Sequence, residues 1–237
     1  MYDNYNNSYS DAYSEQQSFV LKRGLSGVFA LMFVGLLISA AVAHLTAHSP
    51  AIQEIVFYSG MGSIAILFAP LLMVIFVFPR VWKMPPVSAV LVFFVYALLN
   101  GLTLSFVFMA YDLGTVAAAF FSAAAMFGVM AVYGGITKAD LSKLGSLLIM
   151  GLFGFLIATL LNVFLFRSDM LDLLISYAGV AIFLGLTAYD VQRLKRAMSA
   201  HPGGGSAGLM VLGALHLYLD FLNIFLLLLR IMGNRRR

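Results

Sequence analysis

Seven long apolar runs, at residues 24–47, 52–79, 86–110, 114–136, 143–166, 172–194 and 208–231, leave this chain little choice of environment. Each is long enough for the roughly 20 residues that a helix needs to cross a bilayer. Inside lipid, backbone N–H and C=O groups must find partners within their own segment, so each run reads as a helix. Composition agrees: 62% of the residues are hydrophobic and 10% are charged, against roughly 25% charged in a soluble domain. No water-soluble fold buries that much apolar surface. The expectation is an all-α integral membrane protein with seven transmembrane helices.

Three regions follow from this pattern. Residues 1–23 are rich in Asn, Ser, Tyr and Gln and read as a disordered polar tail. Residues 24–233 form the seven-helix domain, and "NRRR" (234–237) is a short basic tail. The "AVA" at 41–43 resembles a signal-peptidase site, but its apolar stretch is too long for a signal peptide. Lys22, Arg23, Arg80, Lys83, Lys138, Lys143, Arg193, Lys195 and Arg196 collect on one side of the predicted bundle, and Arg167 stands alone in the opposite loops. The positive-inside rule then places the N-terminus in the cytoplasm and the C-terminus outside. The basic tail argues the other way and leaves open a last helix that re-enters without crossing. "AMSAHPGGGSAG" (197–208) is the longest loop, and its Pro and Gly residues predict mobility.

Several function classes drop out. The chain has no cysteine, which removes disulfides, zinc–thiolate sites and cysteine nucleophiles. A net charge of +4 is accounted for by one side's loops, and no basic patch interleaved with aromatics suggests nucleic acid. "GLSG" (24–27) matches an intramembrane serine-protease string, but it sits at the edge of the first span rather than in a later helix. The chain therefore reads as a non-enzyme without a tightly bound cofactor.

Two carboxylates stand out. Asp220 lies inside the last apolar run, where an ionisable group costs roughly 2.5–3.5 kcal/mol on insertion scales. His216 at i−4 and Asn223 at i+3 share its helical face, and no basic side chain lies within one turn. It is either interhelical polar glue or a working ionisable group. Asp190, near the end of the sixth run, has Arg193 at i+3, so an end-of-helix ion pair is a sufficient account of it alone. If the two acids meet, repulsion favours one shared proton. Deprotonation then creates an oxygen site suited to a hard cation such as Ca²⁺.

Other polar residues are graded against this pair. Arg80 is either a movable counter-charge or a topology signal beside Lys83. Pro70 in "LFAPLLM" should bend the second span, which suits a moving part and a static bundle equally. Gly151, Gly154, Ala178, Gly179 and Gly185 are candidates for close helix packing. Asn100 and Asn162 read as buried structural polar groups.

The stretches "NGLTLSFVFMAYDLGTVAAAFFSAAAMFGVMAVYGGITKADLS" (100–142), "ISYAGVAIFLGLTAYDVQRLK" (175–195) and "LGALHLYLDFLNIFLLLLRIMGNRR" (212–236) closely resemble the bacterial branch of the Bax inhibitor-1 family. The resemblance implies a bundle whose last helix is central, in the cell (inner) membrane. It implies a pH-sensitive calcium leak, moving Ca²⁺ and protons, in which two aspartates form a proton-sharing site. Those positions match Asp190 and Asp220. A family arginine that contacts the pair is matched by Arg80, anchored only by "PRVWK". A glutamate that some members carry in the second helix has no counterpart, and His216 is a second departure that could shift the pair's titration. The resemblance also implies an alternative, a non-transporting regulator of a membrane-bound AAA protease, for which the tail at 1–23 would be the feature to grip.

Overall fold

The computed structural model describes residues 2–57, 60–200 and 207–233. The chain folds as α1 (Tyr2–His48), α2 (Pro50–Phe57), α3 (Met61–Leu72), α4 (Pro86–Ala110), α5 (Leu113–Ile136), α6 (Ser142–Leu161), α7 (Asp169–Ser199) and α8 (Ala207–Met232). Seven segments are long and apolar enough to cross a membrane: Leu21–His48, Ser63–Lys83, Pro86–Ala110, Leu113–Ile136, Ser142–Phe166, Asp169–Ser199 and Ala207–Met232. The seven apolar runs therefore correspond one to one with helical spans. The backbone of α1 continues the first span back to Tyr2, where the polar composition predicts disorder. No Pro or Gly lies between Tyr2 and Arg23 to stop it. The basic tail and the glycine-rich stretch 201–206 lie outside the described residues.

Local sequence explains the breaks. Pro85 and Pro86 end the second span and open α4 with Pro at its first turn. Asp112 caps α5 by accepting the Thr115 N–H at 2.9 Å, and Ser168 caps α7 by accepting the Leu171 N–H at 3.3 Å. Asn162 ties the α6–α7 turn, donating to the Ser168 carbonyl at 3.1 Å and accepting the Ser168 N–H at 3.0 Å. That is the structural role expected of it. The second span changes pitch along its length. Pro70 lies inside α3, a π-helical stretch follows at Met73–Val77, and a 3₁₀ stretch follows at Phe78–Lys83. A proline inside a helix removes one backbone donor and such departures accompany it.

Burial identifies the centre. In α8, 67% of the apolar window is buried, against 39% in α7, 11% in the second span and 6% in the span that begins with α6. A helix apolar on every side belongs inside the bundle, and α8 packs on α1, α4, α5 and α7. The remaining spans turn large apolar side chains outward, such as Phe121, Ile136 and Phe164, which are over 70% exposed; in lipid these are solvated. α1 and α4 run parallel, since Gly35 meets Phe93, Ser39 bonds to the Ala97 carbonyl and Val42 meets Gly101, and Tyr218 of α8 stands 3.6 Å from where a Cβ on Gly35 would lie. α6 is outermost and packs on α7.

α8 crosses the whole bundle. Gly208 at its start lies against the Val81–Trp82 backbone, and Arg230 at its end pairs with Asp172 at 3.0 Å. A re-entrant last helix is thereby replaced by a full span. Of the small residues expected to bring helices close, Gly179 and Gly185 do so, against Phe155 and Leu227 and against Leu148. Gly151 makes ordinary contact with Ile182, whereas Gly154 and Ala178 face outward.

Candidate functional site

Antiparallel α7 and α8 meet around the two aspartates. Asp220 is 5% exposed, and its Oδ2 has no hydrogen-bond partner among the described residues. Asp190, half-buried on α7, lies near enough to act on it directly through its charge. Thr187, fully buried one turn before Asp190, lies on the face of α7 that packs against α8 beside Asp220. Its hydroxyl donates to the Phe183 carbonyl at 2.8 Å. A hydroxyl has a single proton, so Thr187 can serve one acceptor at a time and must accept from whatever else bonds to it.

The counter-charges come from the two helices themselves. His216 on α8 and Arg193 on α7 line the same cavity as Asp190. Arg193 makes no direct ion pair with it: the salt bridges among the described residues are Arg196–Asp140 and Arg230–Asp172. A cavity of about 440 Å³ separates these groups from the second span. Asp190, Arg193 and His216 form its polar wall, and Phe78, Pro79 and Trp82 of the 3₁₀ stretch form the facing apolar wall. The cavity thus joins the Asp190 side of the interface to the end of the bundle where Gly208 meets Trp82.

The residues singled out in the sequence separate into two groups. Asp190, Asp220 and His216 are brought together. Arg80 is not: it is exposed, its guanidinium donates to the Phe76 carbonyl one turn back, and it stands outside the cavity wall. Asn223 is half-buried and donates to the Leu219 carbonyl of its own helix at 2.8 Å. Thr187 is the participant that sequence reading missed. Its signal was available, a hydroxyl residue in "FLGLTAYD" three positions before Asp190 and so on the same face.

Among the described residues no group of three His, Cys, Asp or Glu side chains converges on one point. Two carboxylates can supply oxygen ligands to a hard cation in passing, with water completing the shell.

Comparison with known proteins agrees with the architecture. The family described as "Inhibitor of apoptosis-promoting Bax1" matches residues 21–237. The inner membrane protein YbhL of Escherichia coli K12 is 41% identical over 219 residues, covering 91% of this chain and 93% of its own length. A Borreliella burgdorferi protein is 42% identical over 229 residues, covering 95% of this chain and 98% of its own. A Rickettsia prowazekii protein, RP147, is 38% identical over 218 residues, covering 91% of each. By its seven spans, its central last helix and these relatives, the chain belongs to the Bax inhibitor-1 family of membrane proteins.

Proposed function

We propose that this protein is a pH-sensitive calcium leak whose gate is the Asp190–Asp220 pair. One observation carries the reading: a buried carboxylate oxygen of Asp220 lacks a partner among the described residues, at the interface where α8 packs on the helix that carries Asp190. A buried polar atom left unpaired costs about 1–3 kcal/mol, and more when charged, so a purely structural Asp would be expected to be better satisfied.

The chemistry follows from proton count. With one proton on the pair, the Asp220 carboxyl donates to Thr187, whose own proton stays on Phe183. The two helices are then held by a neutral chain of hydrogen bonds. When that proton leaves, Thr187 turns its hydroxyl to the carboxylate and two negative charges face each other in a low-dielectric setting. Repulsion loosens α7 from α8, and the freed oxygens suit Ca²⁺. Arg193, a permanent positive charge on the same cavity wall as Asp190, takes the task that the sequence resemblance assigned to Arg80. Ca²⁺ is the transported ion in this reading, with protons as the control.

We further place the protein in the inner membrane with its N-terminus in the cytoplasm. The support is the name of the Escherichia coli relative and the loops, where nine Lys and Arg lie on one side of the bundle against Arg167 on the other.

The test is Ca²⁺ entry into proteoliposomes across a pH series, for wild type, Asp190→Asn and Asp220→Asn. A wild-type flux that rises with pH, and a flux that no longer follows pH in either variant, is the expected result. No flux above empty liposomes from folded protein sinks the leak. It would leave the family's other implied role, regulation of a membrane-bound AAA protease, which requires neither carboxylate.

A further inference from the structure

A second group of titratable side chains lies at the opposite end of the bundle from the Asp190 cavity. His44 and His48 stand four residues apart in the last turns of α1, on one helical face and both exposed. Their ring centres are 4.3 Å apart and the planes are inclined by 39°. His48 Nδ1 lies 2.8 Å from the His44 carbonyl oxygen. A carbonyl oxygen only accepts, so Nδ1 carries the proton and the Nε2 of the neutral ring keeps its lone pair. Donation of one ring N–H to a backbone carbonyl is the arrangement that prepares a histidine to ligate through the other nitrogen. The His44 ring is braced edge-on by Phe108 of α4, with centres 6.0 Å apart and planes at 80°. The C-terminal end of a helix also carries partial negative charge, which favours a cation there.

We infer that His44 and His48 form a two-nitrogen site for a divalent transition-metal ion, Cu²⁺ above Ni²⁺ and Zn²⁺. Metal–imidazole bonds of about 2.0–2.1 Å place two ligating nitrogens close together, as neighbouring rings of this kind allow. Among the described residues no third His, Cys, Asp or Glu joins them. Water completes the shell, and the ion exchanges with the surrounding solution. Copper heads the order because divalent affinity for nitrogen ligands rises through the first-row series to Cu²⁺. Ca²⁺ does not compete, since it takes oxygen ligands. The site is therefore chemically separate from the proposed calcium path.

The experiment is a Cu²⁺ titration of the full-length, untagged protein in detergent, followed by calorimetry and by electron paramagnetic resonance. One ion bound per chain with two-nitrogen ligation is expected. His44→Ala and His48→Ala should each weaken binding by more than about tenfold, while Asp140→Asn in the loop between α5 and α6 leaves it unchanged. Acidification should release the ion, because protonated imidazole cannot ligate. Both rings are exposed, so the variants should keep the wild-type thermal midpoint in the absence of metal. Absence of saturable binding overturns the site, as does a one-nitrogen spectrum or unaltered binding in the His44→Ala, His48→Ala double variant.

Discussion

Tyr218 and Asp220 stand two residues apart on α8 and leave it on opposite sides. Tyr218 faces α1 and α4. Its hydroxyl lies 2.7 Å from Ser39 Oγ, and Ser39 has further acceptors in the Ala97 carbonyl at 2.7 Å and the Gly35 carbonyl at 3.0 Å. Phe93 and Tyr96 meet the Tyr218 ring edge to face. Every polar atom there is neutral and has a partner. Asp220 faces α7, is ionisable, and keeps a buried oxygen unpaired. The same helix thus carries glue on one side and an unsatisfied acid on the other. Polar residues in a membrane interior are equivalent by composition; hydrogen-bond satisfaction tells them apart.

The contrast predicts which substitutions cost stability. Tyr218→Ala removes a fully buried aromatic ring and should cost about 3–5 kcal/mol. A large fall in thermal midpoint in detergent, with little protein recovered folded, is expected. A midpoint within a degree or two of wild type would mean that the α1–α4–α8 interface is not the static half of the molecule. Ser39→Ala comes next. It strands the buried Tyr218 hydroxyl and should cost about 1–3 kcal/mol. Tyr218→Phe should cost less than Ser39→Ala, because Ser39 keeps its two carbonyl acceptors.

On the other side the order inverts. Asp220→Asn removes a buried ionisable group and should leave the thermal midpoint equal to wild type or higher, while the pH dependence of Ca²⁺ flux is lost. Parallel melts of Asp220→Asn and Ser39→Ala decide the matter. If the Asn variant is the less stable, Asp220 is glue like Tyr218 and the comparison fails.

Much of this was legible in the sequence, and the reasons for the rest are physical. The seven spans could be read because lipid forces every backbone group into a local helix. The antiparallel meeting of Asp190 and Asp220 was readable as a possibility from consecutive helices, but contact depends on rotation about each helix axis. Arg80 illustrates the failure. Its number along the chain suits a latch, yet within the 3₁₀ stretch Phe78–Lys83 its guanidinium turns back to the Phe76 carbonyl. Pitch changes of this kind alter a side chain's direction without altering hydropathy. Gly154 and Ala178 fail for the same reason: small size permits close packing but does not choose the face.

The smallest predicted effect lies in the loop between α5 and α6. The Ser142 backbone N–H, 3.0 Å away, and Arg196, 2.8 Å away, hold the exposed Asp140 carboxylate down at about 2 from its ordinary 3.8. A carboxylate with a lowered folded value stabilises the fold fully above 3.8, and that contribution disappears as pH falls through about 2. Across the range from about 5 to 8, where a calcium leak would be regulated, Asp140 stays ionised and its contribution is constant. The pair is also surface-exposed and screened by salt. Asp140→Asn should therefore leave the flux–pH midpoint where wild type has it, with at most a slight loss in thermal stability. A shifted midpoint in this variant, with Asp190 and Asp220 intact, would move the proton sensor from the α7–α8 interface to the loop beside it.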